Sequence, residues 1–169
     1  MKLLLISAVV GTSLLWADGT TRIGFVDLQK AMATVDSGKK AQAQLEKDVA
    51  AKKLQIEKQQ KSLQEEAEKF EKGAALLGNS AKAAKQAELQ KKFAEVQKFA
   101  GEAQMELQKR ERDLTKPILD ELRAIIEGIG KEKKYQLIVE KNEGGVLYTE
   151  SGSDLTDQVI ELFNKKKKS

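Results

Sequence analysis

Apolar positions in this chain follow different periods in different stretches. In RIGFVDLQKAM, starting at Arg22, the strand formers Ile23, Phe25 and Val26 come first, and Asp27 is placed to cap a helix after them. Helical signals begin there and resume after Ser37-Gly38. From Lys39 to Leu77 no proline interrupts and Gly73 is the only glycine. Val49, Ile56, Leu63, Phe70 and Leu77 recur every seven residues, while the partner positions Lys53, Gln60, Ala67 and Ala74 are polar or small. That is half a coiled-coil seam, which buries a narrow stripe and leaves the rest of the helix wet. In GNSA, Gly78 to Ala81, the glycine is a natural helix stop and Asn79 or Ser80 a natural N-cap. A second helix comes next with a fuller seam: Leu89, Phe93, Val96, Ala100, Ala103, Leu107 and Leu114, with Arg110 the one misfit. Two long helices with matching stripes and a tight turn predict an antiparallel hairpin. At about 1.5 Å per residue, about 40 residues give an arm on the order of 60 Å, so it must project from something.

Pro117 predicts a kink or a new first turn. After it the apolar pattern becomes denser, with Ile118, Leu122, Ile125, Ile126 and Ile129, as suits a helix packed on a body. YQLIVEKNEGGVLYTES then reads as a β-hairpin. Tyr135, Leu137 and Val139 alternate with Gln136, Ile138 and Glu140, Asn142 to Gly145 make the turn, and Val146 to Thr149 return. Asp154 caps a last short helix whose apolar face is Leu155, Val159, Leu162 and Phe163. Every predicted strand lies near one end of the chain, and the helical hairpin carries those ends together. Three short strands are a marginal sheet with two open edges. Several copies could close it, with Leu122, Ile126 and Phe163 covering the outside. The expected fold is therefore α+β: a long antiparallel coiled-coil hairpin over residues 37–116, turning near 78–81, projecting from a small β-rich oligomerisation body built by residues 18–36 and 117–169. The expected body core is Ile23, Phe25, Val26, Leu122, Ile126, Leu137, Val139, Val146, Leu162 and Phe163.

Composition supports the arm and narrows the chemistry. Charged residues are 33% and aromatics 5% of 169 residues, the balance of solvated helices rather than of a large globular core. The absence of histidine and cysteine removes the usual zinc and haem ligands, nucleophile–histidine pairs and disulfides.

Residues 1–17 read as a secretory signal. Lys2 supplies the positive charge, Leu3 to Leu15 the apolar run, and Ala17 the small residue before a cut that leaves Asp18 first. A membrane anchor is the other reading, but the run is shorter than the roughly 20 residues a span needs. Removing Lys2 takes 30 basic residues to 29 against 26 acidic ones, a net charge of +3. An exported protein is expected, not a nucleic-acid binder.

Three further patterns have bland alternatives. Gly128-Ile129-Gly130-Lys131 has the wrong spacing for a phosphate loop and reads as a helix C-terminus. Paired acids such as Glu65-Glu66, and Glu140, sit among lysines, as on a solvated face, so no catalytic, cofactor or metal site is expected. The run Lys165 to Lys168 is either a soluble tail or a contact for anionic lipid headgroups or lipopolysaccharide. At the arm's tip, Leu76 and Leu77 lie in an apolar cluster surrounded by Lys69, Lys72, Lys82, Lys85, Lys91 and Lys92, which Glu68, Glu71 and Glu88 offset only partly. Such a tip could capture an acidic, apolar partner, or the two leucines could simply close the hairpin against Leu89.

IGFVDLQKAM after a signal peptide, the charged hairpin, and PILDELRAIIEGIGKEKKYQLIVEKNEGGVLYTESGSDLTDQVIELFN in that order resemble the Skp/OmpH family of periplasmic chaperones. The resemblance implies a homotrimer with a barrel-like body and three arms around a cavity. It implies that unfolded outer-membrane proteins are held there, without ATP, against aggregation, and that no catalytic residue or cofactor is needed. Two other classes fit the arm: a structural coiled-coil spacer of the cell envelope, and a cytosolic chaperone of prefoldin type that retains residues 1–17.

Overall fold

In a computed structural model, residues 21–143, 145–149 and 152–166 are described; the expected signal segment lies outside them, as do Lys167 and Lys168. Strand β1, Ile23–Val26, leads into helix α1, Leu28–Thr34. Asp27 caps α1 by accepting the Lys30 N–H at 2.7 Å. The chain bends at Val35, whose backbone is extended, and α2 runs Asp36–Gly73. The bend is tight: a Cβ on Gly38 would lie 1.7 Å from the Met32 carbonyl oxygen, so only glycine fits there. A single 3₁₀ turn, Ala74–Leu76, reverses the chain, and α3 runs Asn79–Glu132. The reversal thus falls just before the GNSA stretch, with Gly78 at the N-cap and Asn79 already helical.

Helix α3 continues through Pro117, so the proline does not begin a new helix. Pro117 is exposed, so the carbonyl left without its N–H donor can be met by water. At about 1.5 Å per residue, α2 is about 57 Å long and α3 about 81 Å.

The Ile23 strand pairs with the strand after Tyr135, as expected, but the hairpin beyond that strand is absent. Helix α3 ends in a turn at Lys134, which takes a left-handed φ of 55°, with the Tyr135 N–H donating to the Gly130 carbonyl at 3.0 Å. Strand β2, Leu137–Glu140, then runs parallel to β1, pairing Ile23 with Leu137 and Phe25 with Val139. The predicted return strand Val146–Thr149 does not form; Leu147 is fully exposed. The other side of β1 is taken instead by Ser153–Leu155, through Phe25 N–H to Ser153 O at 2.8 Å and Leu155 N–H to Phe25 O at 2.7 Å. Because Ser153–Leu155 binds the side of β1 away from β2, the segment between crosses over instead of folding back along β2. Helix α4, Thr156–Lys166, closes the body.

The core sits where α1, the start of α2, the end of α3 and α4 cover one face of the strands. Val26, Ala31, Val35, Ile118, Leu122, Ile129, Leu155, Val159 and Phe163 are buried there, with Ile126 and Ile138 packed against them. Gly24 belongs to this face, since a Cβ would meet Leu155 Cδ1 at 2.8 Å and Tyr135 at 3.1 Å. Buried Thr156 ties the layers together: its hydroxyl accepts the Asp27 N–H at 2.9 Å and donates to Asp154 at 2.5 Å.

Candidate functional site

The chain offers two surfaces of interest, the far face of the sheet and the arm. Alternation along β1 sends Gly24 and Val26 to the core, so Ile23 and Phe25 point the other way. Their register partners Leu137 and Val139 share that face. The result is an apolar sheet face with Ile23 40% and Leu137 52% exposed. The outer edge of β2 has no strand partner among the described residues. The residues expected in the body core therefore divide. Val26, Leu122 and Phe163 are buried in the single chain, and Ile126, Phe25, Val139 and Val146 are half-buried. Ile23, Leu137 and Leu162 are exposed.

The arm is wet along most of its length. Between Gln42 and Glu102 no residue is buried. An apolar groove of about 640 Å³ runs along the hairpin near its base, floored by Leu45, Val49, Ile56, Ala100, Ala103 and Leu107. Four charged pairs cross from α2 to α3: Asp48–Arg110 at 3.2 Å, Lys52–Glu106 at 2.6 Å, Glu66–Lys92 at 2.6 Å and Glu66–Lys85 at 3.6 Å. These crossings show which heptad frame faces inward. On α2 Lys52 is half-buried where the pattern suggested Lys53, and Gln60 is exposed, but toward the tip Ala67 and Ala74 of the expected positions are half-buried beside Glu66 and Gly73; on α3 Lys92 is half-buried, while Phe93 is 55% exposed.

At the tip, Leu76 is 91% exposed, and Lys69, Lys72 and Lys82 are exposed with it. Leu77, 42% exposed, lines an open groove of about 490 Å³ with Glu66, Lys69, Phe70, Gly73, Ala81 and Lys85. Beside it lies a ring of four charges that apolar periodicity does not single out. Glu66 meets Lys92 at 2.6 Å and Lys85 at 3.6 Å; Glu88 meets Lys85 at 3.0 Å and Lys92 at 3.1 Å. The hydrogen bond from Lys92 holds the Glu66 carboxyl below its ordinary range, and Lys85 followed by Lys92 does the same for Glu88. Glu66, then Glu88, push the Lys92 ammonium up. The signal for this ring is the frame Leu45, Lys52, Gln59, Glu66, Gly73, easily missed because only Leu45 in it is apolar.

Gly128 to Lys131 lies inside α3 with Ile129 buried. Lys165 pairs with Glu161 at 2.6 Å and Lys166 with Glu121 at 3.4 Å. Among the described residues, no group of three or more acidic side chains could hold a metal ion, and no helix is long and apolar enough to cross a membrane.

No curated protein matches this sequence. A crystal structure of a proposed outer membrane chaperone (OmpH-like) from Caulobacter crescentus CB15 superposes with a TM-score of 0.76 at 18% identity, over 96% of this chain and 92% of that one. At that identity the likeness is one of fold: a long helical hairpin on a small body. Residues 22–163 match the family described as outer membrane protein (OmpH-like), and with that match covering both ends and the whole arm, the chain belongs to the OmpH-like family.

Proposed function

We propose that this protein is an ATP-independent holdase of the periplasm, which binds unfolded outer-membrane proteins between helical arms and keeps them from aggregating. The observation that carries the reading is the arm: a rod tens of ångströms long in which no residue from Gln42 to Glu102 is buried. A globular enzyme or a tight docking module would have no use for so much half-covered, mixed apolar and charged surface. A holdase does, because many weak contacts slow aggregation without competing with the client's final fold. A client strand kept apart from others has no edge to add to.

Self-association is part of the proposal. The apolar face of Ile23, Phe25, Leu137 and Val139, beside an open β2 edge, is what a shared body would cover. Copies joined there, three in the reading the family suggests, would set their arms around a common space. The exposed leucine and lysines at each tip would meet an acidic client first.

The test is dilution of a urea-unfolded β-barrel protein into buffer without nucleotide. Stoichiometric amounts of the purified chain from Asp18 are expected to suppress light scattering. Scattering unchanged by the chain would overturn the reading.

A further inference from the structure

The arm changes character along its length. Near its base Ala41 and Ala103 are buried; beyond them, toward the tip, no residue is buried, and Val49, Leu54, Leu76, Leu77 and Phe93 are exposed. In three of the crossing pairs the residue numbers add to 158, so Asp48–Arg110, Lys52–Glu106 and Glu66–Lys92 belong to one antiparallel register. The third pair differs from the others in two ways. It lies on the inward frame between Leu63 and Phe70, where a coiled coil wants an apolar side chain, and it is joined to Lys85 and Glu88 in a closed ring. One heptad further on, that frame offers Gly73, and nothing lies within 4 Å of where its Cβ would be. The missing side chain leaves the groove that Phe70, Leu77 and Ala81 line.

We propose that Glu66, Lys85, Glu88 and Lys92 form an electrostatic clasp. The outer part of the hairpin, from Leu63 to Val96, is held shut by charge more than by apolar packing. It therefore opens as a unit of its own, while the base stays closed. Opening bares Phe70 and Leu89, beside the already exposed Leu77, to an apolar segment of an unfolded chain; this last clause rests on the holdase reading, the clasp itself does not.

The physical signature comes from the two kinds of force. The ring's side chains are about a third to a half exposed. Salt screens such pairs, with a Debye length of about 10 Å at 0.1 M and about 3 Å at 1 M. Apolar burial has no such dependence. Raising the ionic strength should therefore loosen the tip and leave the body as it was.

Amide hydrogen exchange of the chain from Asp18, read on peptides covering 63–77, 85–96 and 118–129, tests this. Between 50 mM and 1 M potassium chloride the first two should lose protection by on the order of threefold to tenfold, the third not at all. Glu66→Gln should give the same loss at low salt. The exchanged pair Glu66→Lys with Lys92→Glu should recover part of it. Asp48→Asn, near the buried base, should leave the tip unchanged. Tip exchange that ignores both salt and Glu66→Gln overturns the clasp. If exchange responds but Glu66→Gln suppresses client scattering no better than the parent at low salt, the link to capture is overturned and the clasp stands. A parent chain that suppresses no scattering removes the holdase reading, and the exchange data still decide the clasp.

Discussion

Leu137→Lys separates a surface that is merely exposed from one that another copy covers. Leu137 is 52% exposed in the single chain and shares the outer sheet face with Ile23, at 40%. Burying a leucine fully is worth about 1.5–3 kcal/mol, so the half still exposed could contribute on the order of 1 kcal/mol per copy on assembly. Ile23 would add a similar amount. A lysine at 137 forfeits this and brings an ammonium whose desolvation costs several kcal/mol if it is covered. In a lone chain the same lysine lays its stem along the sheet and keeps its charge in water, at a cost within about 0.5 kcal/mol. Sedimentation equilibrium of residues 18–169 at micromolar concentration reads the difference. The parent should run at a multiple of the chain mass and Leu137→Lys near the single-chain mass, with helical circular dichroism retained. A parent that sediments as one well-folded chain, or a variant that assembles as the parent does, refutes the argument.

Three other outcomes concern the body and its charges. Thr156→Val keeps the shape but strands the Asp27 N–H and removes a donor from Asp154; urea unfolding should show a loss of about 1–3 kcal/mol. Lys134→Gly relieves a left-handed residue at the end of α3 and should raise stability by up to about 1 kcal/mol in the same assay. The pH profile should be flat across the neutral range, because the chain has no histidine. Burial alone would raise the Asp154 carboxyl, but hydrogen bonds from Thr156 and Lys141 outweigh it and hold it below the ordinary 3.8. Its contribution is therefore present above that value and lost as pH falls through the lower folded one. The raised Lys30 and Lys92 contribute below 10.5 and lose their share as pH rises through their folded values. Thermal midpoints that shift between about pH 6 and 9 would contradict this.

The sequence by itself determined the long-range plan. A seven-residue apolar repeat on both sides of a glycine-bearing turn can bury its stripes only by folding back, and folding back brings the two strand-forming ends together. Capping by Asp27 and the contact of Asp154 with α4 were legible for the same reason: short-range chemistry depends on neighbours in the chain. Tertiary structure alone decided how the ends pair. Parallel and antiparallel partners share one alternation of side chains, so the pattern of YQLIV could not say that β2 lies parallel to β1 or that Ser153–Leu155 takes the edge expected for Val146–Thr149. It also decided which frame of the arm faces inward. Neighbouring positions on a helix, such as Lys92 and Phe93, differ by about 100° around its axis, and only the partner helix selects between them. That choice turned Glu66, Lys85, Glu88 and Lys92 from surface charges into a ring at the mouth of the tip.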